Sequence, residues 1–255
     1  MKISIDELLK GKGTIIKDRE YLPTKSYVEP FLDRMSKFTD DIRVEVRLPD
    51  QITKLDSTED ITYNRVWVQA VMPGEGIFDN HQEVVGFLYG LDVRKPIVKI
   101  YRGTLNMACT NLCVFNPSFL NTQELEPNTA IDYRPIKTLM EQTNDVKVWL
   151  EKLSDTFFSR DRESLERELG RWVHNSMVRS YDGGYGKVKL ATSSPVTAFK
   201  KLFIDAKSPY YIEEDVDQVD MFTVYNAFTQ IITDDDKDIM NKVEKTLLLK
   251  TILEL

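Results

Sequence analysis

The hydrophobic period of the chain changes once, and that change limits the fold more than any other feature. Between Ile42 and Phe115 the period is two: "IRVEVRL" sets Ile42, Val44, Val46 and Leu48 against charged neighbours, and "YNRVWVQAVM" is rich in β-branched and aromatic residues. "EVVGFLYGLD", "KPIVKIYRGTLN" and "MACTNLCVF" continue the pattern, with turns expected at Gly90-Leu91-Asp92 and Arg102-Gly103. The connections are shorter than a parallel crossover needs, so the region predicts a twisted antiparallel sheet of about five strands over residues 42–115.

Past the polar connection "NPSFLNTQELEPNT" the period becomes helical. Ile136, Leu139, Met140, Thr143, Val146, Leu150, Leu153 and Phe157 trace one face, and Leu165, Leu169, Trp172, Val173 and Met177 trace a second. After the loop "SYDGGYGKVKLATSSP" come a helix around "DMFTVYNAFTQII" and another whose start is expected at "TDDDKD". Residues 1–40 read as an N-terminal arm with a short helical start, with Pro23 and Pro30 as breaks and Phe31, Met35 and Phe38 at helical spacing. The expectation is a single α+β domain over 1–255: the arm, a β-rich layer over 41–120 and a mainly helical layer over 121–255, the sheet packed against the C-terminal helices.

A chain of 255 residues can bury a sizeable core without staples, and 42% hydrophobic with 29% charged residues is a globular composition. The formal charge of 34 − 41 = −7 repels phosphate and anionic lipid except where cations are concentrated. Cys109 and Cys113 provide no disulfide framework, since on one strand their Cα atoms would stand roughly 13 Å apart. With no export signal in "MKISIDELLKGKG" and no long apolar run, the expectation is a cytoplasmic protein without a membrane partner.

Motifs narrow the chemistry mainly by what they lack. Cys109, Cys113, His81 and His174 are all the soft metal ligands, but the couples typical of structural zinc are incomplete, so the cysteines read as buried thiols and no metal or cofactor is expected. "YDGGYGK" departs from a phosphate-binding Walker loop, with Gly183 and Gly186 three apart and Val188 after Lys187. Its surroundings are better described as a loop in which Arg179, Tyr181, Tyr185, Lys187 and Lys189 interleave cations with stacking rings, the combination that single-stranded nucleic acid requires. From Arg160 to Lys207 ten Lys/Arg face six Asp/Glu, a local excess of +4 that also suits a solvated helix face and hairpin tip. Asp215 and Asp217 within "IEEDVDQVD" could hold magnesium, whereas Asp217 or Asp220 could equally cap the helix that follows. No G-x-S-x-G or H-E-x-x-H is present, and the chain reads as non-enzymatic.

"RGTLNMACTNLCVF" and "VDMFTVYNAFTQIIT" together resemble the two hallmark segments of the phage/plasmid-like family catalogued as domain of unknown function 932. The counterparts are Cys109-Thr110-Asn111 after the β-rich region and Asn226-Ala227-Phe228-Thr229 opening a late helix, with "VVGFLYGLDVRKPIVKIYRG" similar upstream. The histidine that usually follows the Thr step in that family is absent, since the segment here continues "QIITDDDKD". The resemblance implies a phage- or plasmid-encoded protein, and together with the basic loop it points to an accessory role whose partner is nucleic acid, single-stranded by preference, during replication or recombination. Its sheet-then-helix order also accommodates a homo-oligomer of the single-strand-annealing type. The alternative is an acidic protein-binding factor, either an inhibitor of a host defence or DNA-binding enzyme or a virion-associated protein.

The Thr110-Asn111 pair inside a strand-like run needs its own account. A buried side-chain amide without partners costs about 1–3 kcal/mol, which points to a polar residue on another element, and Asn226 is the natural candidate. Thr110, Asn111, Tyr225, Asn226 and Thr229 are therefore expected to meet where the late helix packs on the sheet. The group would serve as a structural polar network or as a small site for a base, sugar or peptide edge.

Overall fold

The computed structural model describes residues 2–16, 18–47, 63–73, 81–91, 96–106, 111–113, 120–141, 143–159, 167, 194–208, 210–212, 218–235 and 245–246. Its architecture is α+β, with an antiparallel sheet followed by helices in the C-terminal region. The chain divides into two compact units: residues 1–77, 82–104 and 118–142 form the first, and residues 78–81, 105–117 and 143–255 the second.

The main sheet contains β3 (Ile42–Arg47), β4 (Arg65–Val71), β5 (His81–Gly90), β6 (Ile97–Asn106) and β7 (Asn111–Cys113), in that spatial order, the five strands expected between 42 and 115. A sixth, β8 (Leu120–Glu124), pairs antiparallel with β6 from Ile97↔Glu124 to Tyr101↔Leu120. It occupies the segment read above as a plain connection, where polar Asn121 and Gln123 alternate with exposed Thr122 and Glu124 and supply no apolar signal. β6 runs straight through Arg102-Gly103, where a turn was expected. Arg102 is fully buried in the sheet, paired with Glu83 of β5, and Gly103 continues as strand.

In the first unit, α1 (Ile5–Leu8) leads into a hairpin of β1 (Thr14–Ile16) and β2 (Arg19–Tyr21). Asp18 turns the hairpin at φ 62°, a left-handed conformation that a short polar side chain tolerates. Next comes α2 (Thr24–Met35), which continues through Pro30 instead of breaking there. Its apolar face of Tyr27, Val28, Phe31 and Met35 is buried, and that packing outweighs the hydrogen bond a helical proline forfeits. Pro23 does bound the helix, whereas Phe38 lies beyond its end and is half exposed. The Phe31 ring stacks on Phe87 at 5.6 Å, and Tyr27 meets Tyr89 edge-on at 5.5 Å. Tyr133 closes the cluster by donating from its hydroxyl to Tyr27 O.

The short α3 (Pro135–Glu141) ends against Arg102, whose Nη1 donates to Leu139 O at 2.6 Å. Burial raises the Glu83 carboxyl above its ordinary value, and the charge and hydrogen bond of Arg102 pull it back only in part.

The second unit contains α4 (Thr143–Ser154), a ribbon of β9 (Phe157–Ser159) and β10 (Gln218–Asp220), α5 (Ser194–Phe203) and α6 (Met221–Asp235). The helical face expected from Ile136 to Phe157 is described as α3 and α4, on either side of residue 142. Phe157 leaves the helix altogether: it starts β9 and is 56% exposed. The helix expected over Leu165–Met177 falls outside the described residues, apart from helical Arg167. α6 is described as far as Asp235, so Asp234 and Asp235 lie within a helix that began at Met221, where the start of a new one was expected. The apolar run through Ile231 and Ile232 carries the helix into the acidic segment.

Candidate functional site

α6 is the central element of the second unit. Met221, Phe222, Val224, Tyr225, Ala227, Phe228, Ile231 and Ile232 are all buried, so apolar positions cover more than half of the helix circumference, a wider face than a single narrow stripe. The helix starts where it does because Asp220 caps it: its Oδ1 accepts from Thr223 N at 2.8 Å and its Oδ2 from the Thr223 hydroxyl at 2.7 Å. Asp220 is also the last residue of β10, and Met221 N donates to Thr156 O at 2.7 Å, which ties the start of α6 to the turn before β9.

This placement puts two polar side chains of the expected group in the buried part of the helix. Asn226 is 1% exposed and Thr229 0%, with the Thr229 hydroxyl donating to Asn226 O at 2.9 Å one turn back. Tyr225 is equally buried, its ring edge-on to Trp149 of α4 at 5.3 Å. The Asn226 amide finds its partner in His81, the first residue of β5, with Nε2 and Oδ1 3.2 Å apart. An amide oxygen only accepts, so Nε2 carries the proton and donates. The imidazole is 1% exposed and meets the Phe222 ring edge-on at 5.0 Å.

β7, which begins at Asn111, packs against α6. The strand bearing the middle amide and the helix bearing the late one are therefore neighbours within this unit, while Thr110 lies outside the described residues. The sequence reading missed His81 as a member of this group, having weighed it only as a metal ligand. It stands 145 residues from Asn226, and no local pattern relates the two.

Chemically the cluster is suited to holding position. An amide does not take up a proton at neutral pH, so the His81–Asn226 contact fixes a ring and a helix rather than relaying a proton. With His81, Tyr225, Asn226 and Thr229 all at or near zero exposure, an external ligand would have to open the packing to reach them.

The other candidates are dispersed or undescribed. Arg179, Tyr181, Tyr185, Lys187 and Lys189 lie outside the described residues, as do Asp215, Asp217, Cys109 and His174, and Cys113 is placed only as the last residue of β7. Among the described residues no group of three His, Cys, Asp or Glu could hold a metal ion, and no helix is long and apolar enough to cross a membrane.

No family model, curated protein or solved structure matches the chain. The likeness to the phage/plasmid-like family thus rests on the two short segments themselves, one of which enters β7 and the other of which forms α6.

Proposed function

We propose that this chain is a non-enzymatic accessory protein of a phage or plasmid. It acts in the cytoplasm of the host cell and binds nucleic acid, preferentially single-stranded, during replication or recombination. The observation that carries the reading is the packing of β7 against α6, because the two segments that resemble the phage/plasmid-like family are then parts of one folded layer. In this reading the His81–Asn226 pair holds the layer together, and nucleic acid is contacted by the segment that carries Arg179, Tyr181, Tyr185, Lys187 and Lys189, whose composition suits a strand with unpaired bases.

Fluorescence anisotropy with labelled oligo-dT over a series of salt concentrations tests the proposal. Binding should weaken steeply as salt rises, and the Lys187→Ala/Lys189→Ala variant should bind several-fold more weakly with a shallower salt slope. Absence of binding at low salt would end it.

A protein-binding role is the second reading. It is favoured by the net charge of −7 and by Val148, Phe157 and Ile204 of the second unit, which are large apolar residues more than half exposed. Pull-down from host cells with and without nuclease separates the two: a partner retained after nuclease treatment supports protein contact. Light scattering on the same material reports whether the chain self-associates. Turnover that depends on magnesium and is lost in Asp215→Asn would instead support an enzyme.

A further inference from the structure

β3 is an outer strand of the main sheet: β4 lies on one side of it, and among the described residues no further strand lies on the other. Such an edge is a template for pairing with another chain. Which backbone groups it offers follows from its pairing with β4. Asp41 O accepts from Val71 N at 2.9 Å, so in this antiparallel ladder Asp41, Arg43 and Glu45 direct their backbone groups at β4, and Ile42, Val44 and Val46 direct theirs outward. The side chains alternate as well. Val44 and Val46 are buried on one face, while Arg43 and Glu45 are partly exposed on the other.

A second copy can extend this edge only where outward-directed residues stand opposite each other, which pairs even positions with even positions. The sequence "DIRVEVR" of residues 41–47 then decides among the registers left. With Val44 opposite Val44, Arg43 meets Glu45 and Asp41 meets Arg47 on both sides of the centre, and Ile42 meets Val46. Sliding the partner by two residues one way sets Glu45 against Glu45 and Arg43 against Arg47; sliding it the other way sets Arg43 against Arg43 and Asp41 against Glu45. Opposite charges directly across a ladder stabilise it and like charges weaken it, so the strand is complementary to itself in one register and repels itself in the neighbouring two.

In the single chain the edge is guarded. Lys2, ahead of α1, forms an isolated bridge to Glu45, and because Glu45 is paired with Trp67 of β4 on one side, Lys2 crosses the other. At the start of the strand Ile42 N turns back to Asp40 O at 3.1 Å. One isolated bridge from an exposed residue is small beside a ladder running the length of the strand, so a matching strand can displace it.

We propose that β3 is a dimerisation strand: two copies of the chain join β3 to β3, antiparallel and centred on Val44, into one continuous sheet, and the Lys2 bridge gives way. The contact uses the same residues on both copies, as a closed two-fold pair requires. It depends on neither reading above of what the protein binds.

Sedimentation equilibrium of the full chain over a roughly hundredfold range of concentration tests this, with Arg43→Glu and Glu45→Arg as variants. The wild type should pass from the mass of one chain to that of two. Either variant alone sets like charges opposite each other on both sides of the centre and should dimerise at least about tenfold more weakly. Mixed in equal amounts, the two variants restore opposite charges at those positions, and the mixture should dimerise about as well as the wild type. That recovery requires both variants to be folded, so a loss caused by misfolding would not be rescued. A wild type that keeps the mass of one chain throughout overturns the proposal. So does a dimer that both variants leave unchanged, or a mixture that associates no better than its components.

Discussion

Gly86 sits on β5 directly beneath the Tyr101 ring, and a Cβ added there would stand 1.9 Å from Tyr101 Cζ. The ring cannot easily move, because Trp67 Nε1 and Gln69 Nε2 both donate to its hydroxyl, the latter at 3.1 Å. Gly86→Ala should therefore destabilise the protein by about 1–3 kcal/mol in urea unfolding, the usual cost of overpacking a well-packed core. Asp132 shows the opposite situation at the surface. Hydrogen bonds from the Arg134 guanidinium and backbone lower its pKa to about 2 from the usual 3.8, although the carboxyl is partly exposed. A carboxylate with a lowered pKa adds stability that is present above its unfolded value and is lost as pH falls through the folded one. An NMR titration should place the Asp132 midpoint near 2, and Arg134→Gln should return it towards 3.8.

At the scale of elements, two helix ends are held in different ways. α6 starts on the Asp220 carboxylate, which accepts from both the backbone and the hydroxyl of Thr223. Asp220→Ala should cost about 0.5–2 kcal/mol, and Asp220→Asn should recover most of it, as measured by thermal melting. α3 instead ends on a guanidinium from the sheet, with Arg102 donating to Leu139 O while paired with Glu83. Arg102→Met strands a buried carboxylate and should cost about 3–5 kcal/mol at neutral pH. Without Arg102 the Glu83 pKa rises further above its unfolded value. Such an acid penalises the fold above its folded pKa and ceases to do so once protonated, so the variant should recover part of the loss as pH is lowered into the mildly acidic range. The paired apolar replacement Glu83→Leu/Arg102→Met should be more stable than Arg102→Met alone.

For the whole molecule, the division into two units is crossed by the chain five times, and β5 and β6 each contribute residues to both units. Such threading ties the fate of one unit to that of the other. Gly86→Ala in the first unit and Asp220→Ala in the second should therefore shift the same unfolding transition, with losses that add in the double variant. Near-ultraviolet circular dichroism and far-ultraviolet helix content followed through one urea titration check this; two separate midpoints would show that the units unfold independently.

Much of the fold is written locally in the chain. Strand periodicity from Ile42 onward, the apolar run of α6 and the Asp220 cap all act between near neighbours, so they are legible in sequence. Other features were decided only when distant segments met. Pro30 stays inside α2 because Tyr27 and Phe31 bury themselves against Tyr89 and Phe87, β6 continues through Arg102 because Glu83 stands beside it, and β8 exists because β6 offers an edge to a polar segment. The His81–Asn226 contact belongs with these. Register and strand order choose such partners, and they are properties of the folded chain as a whole.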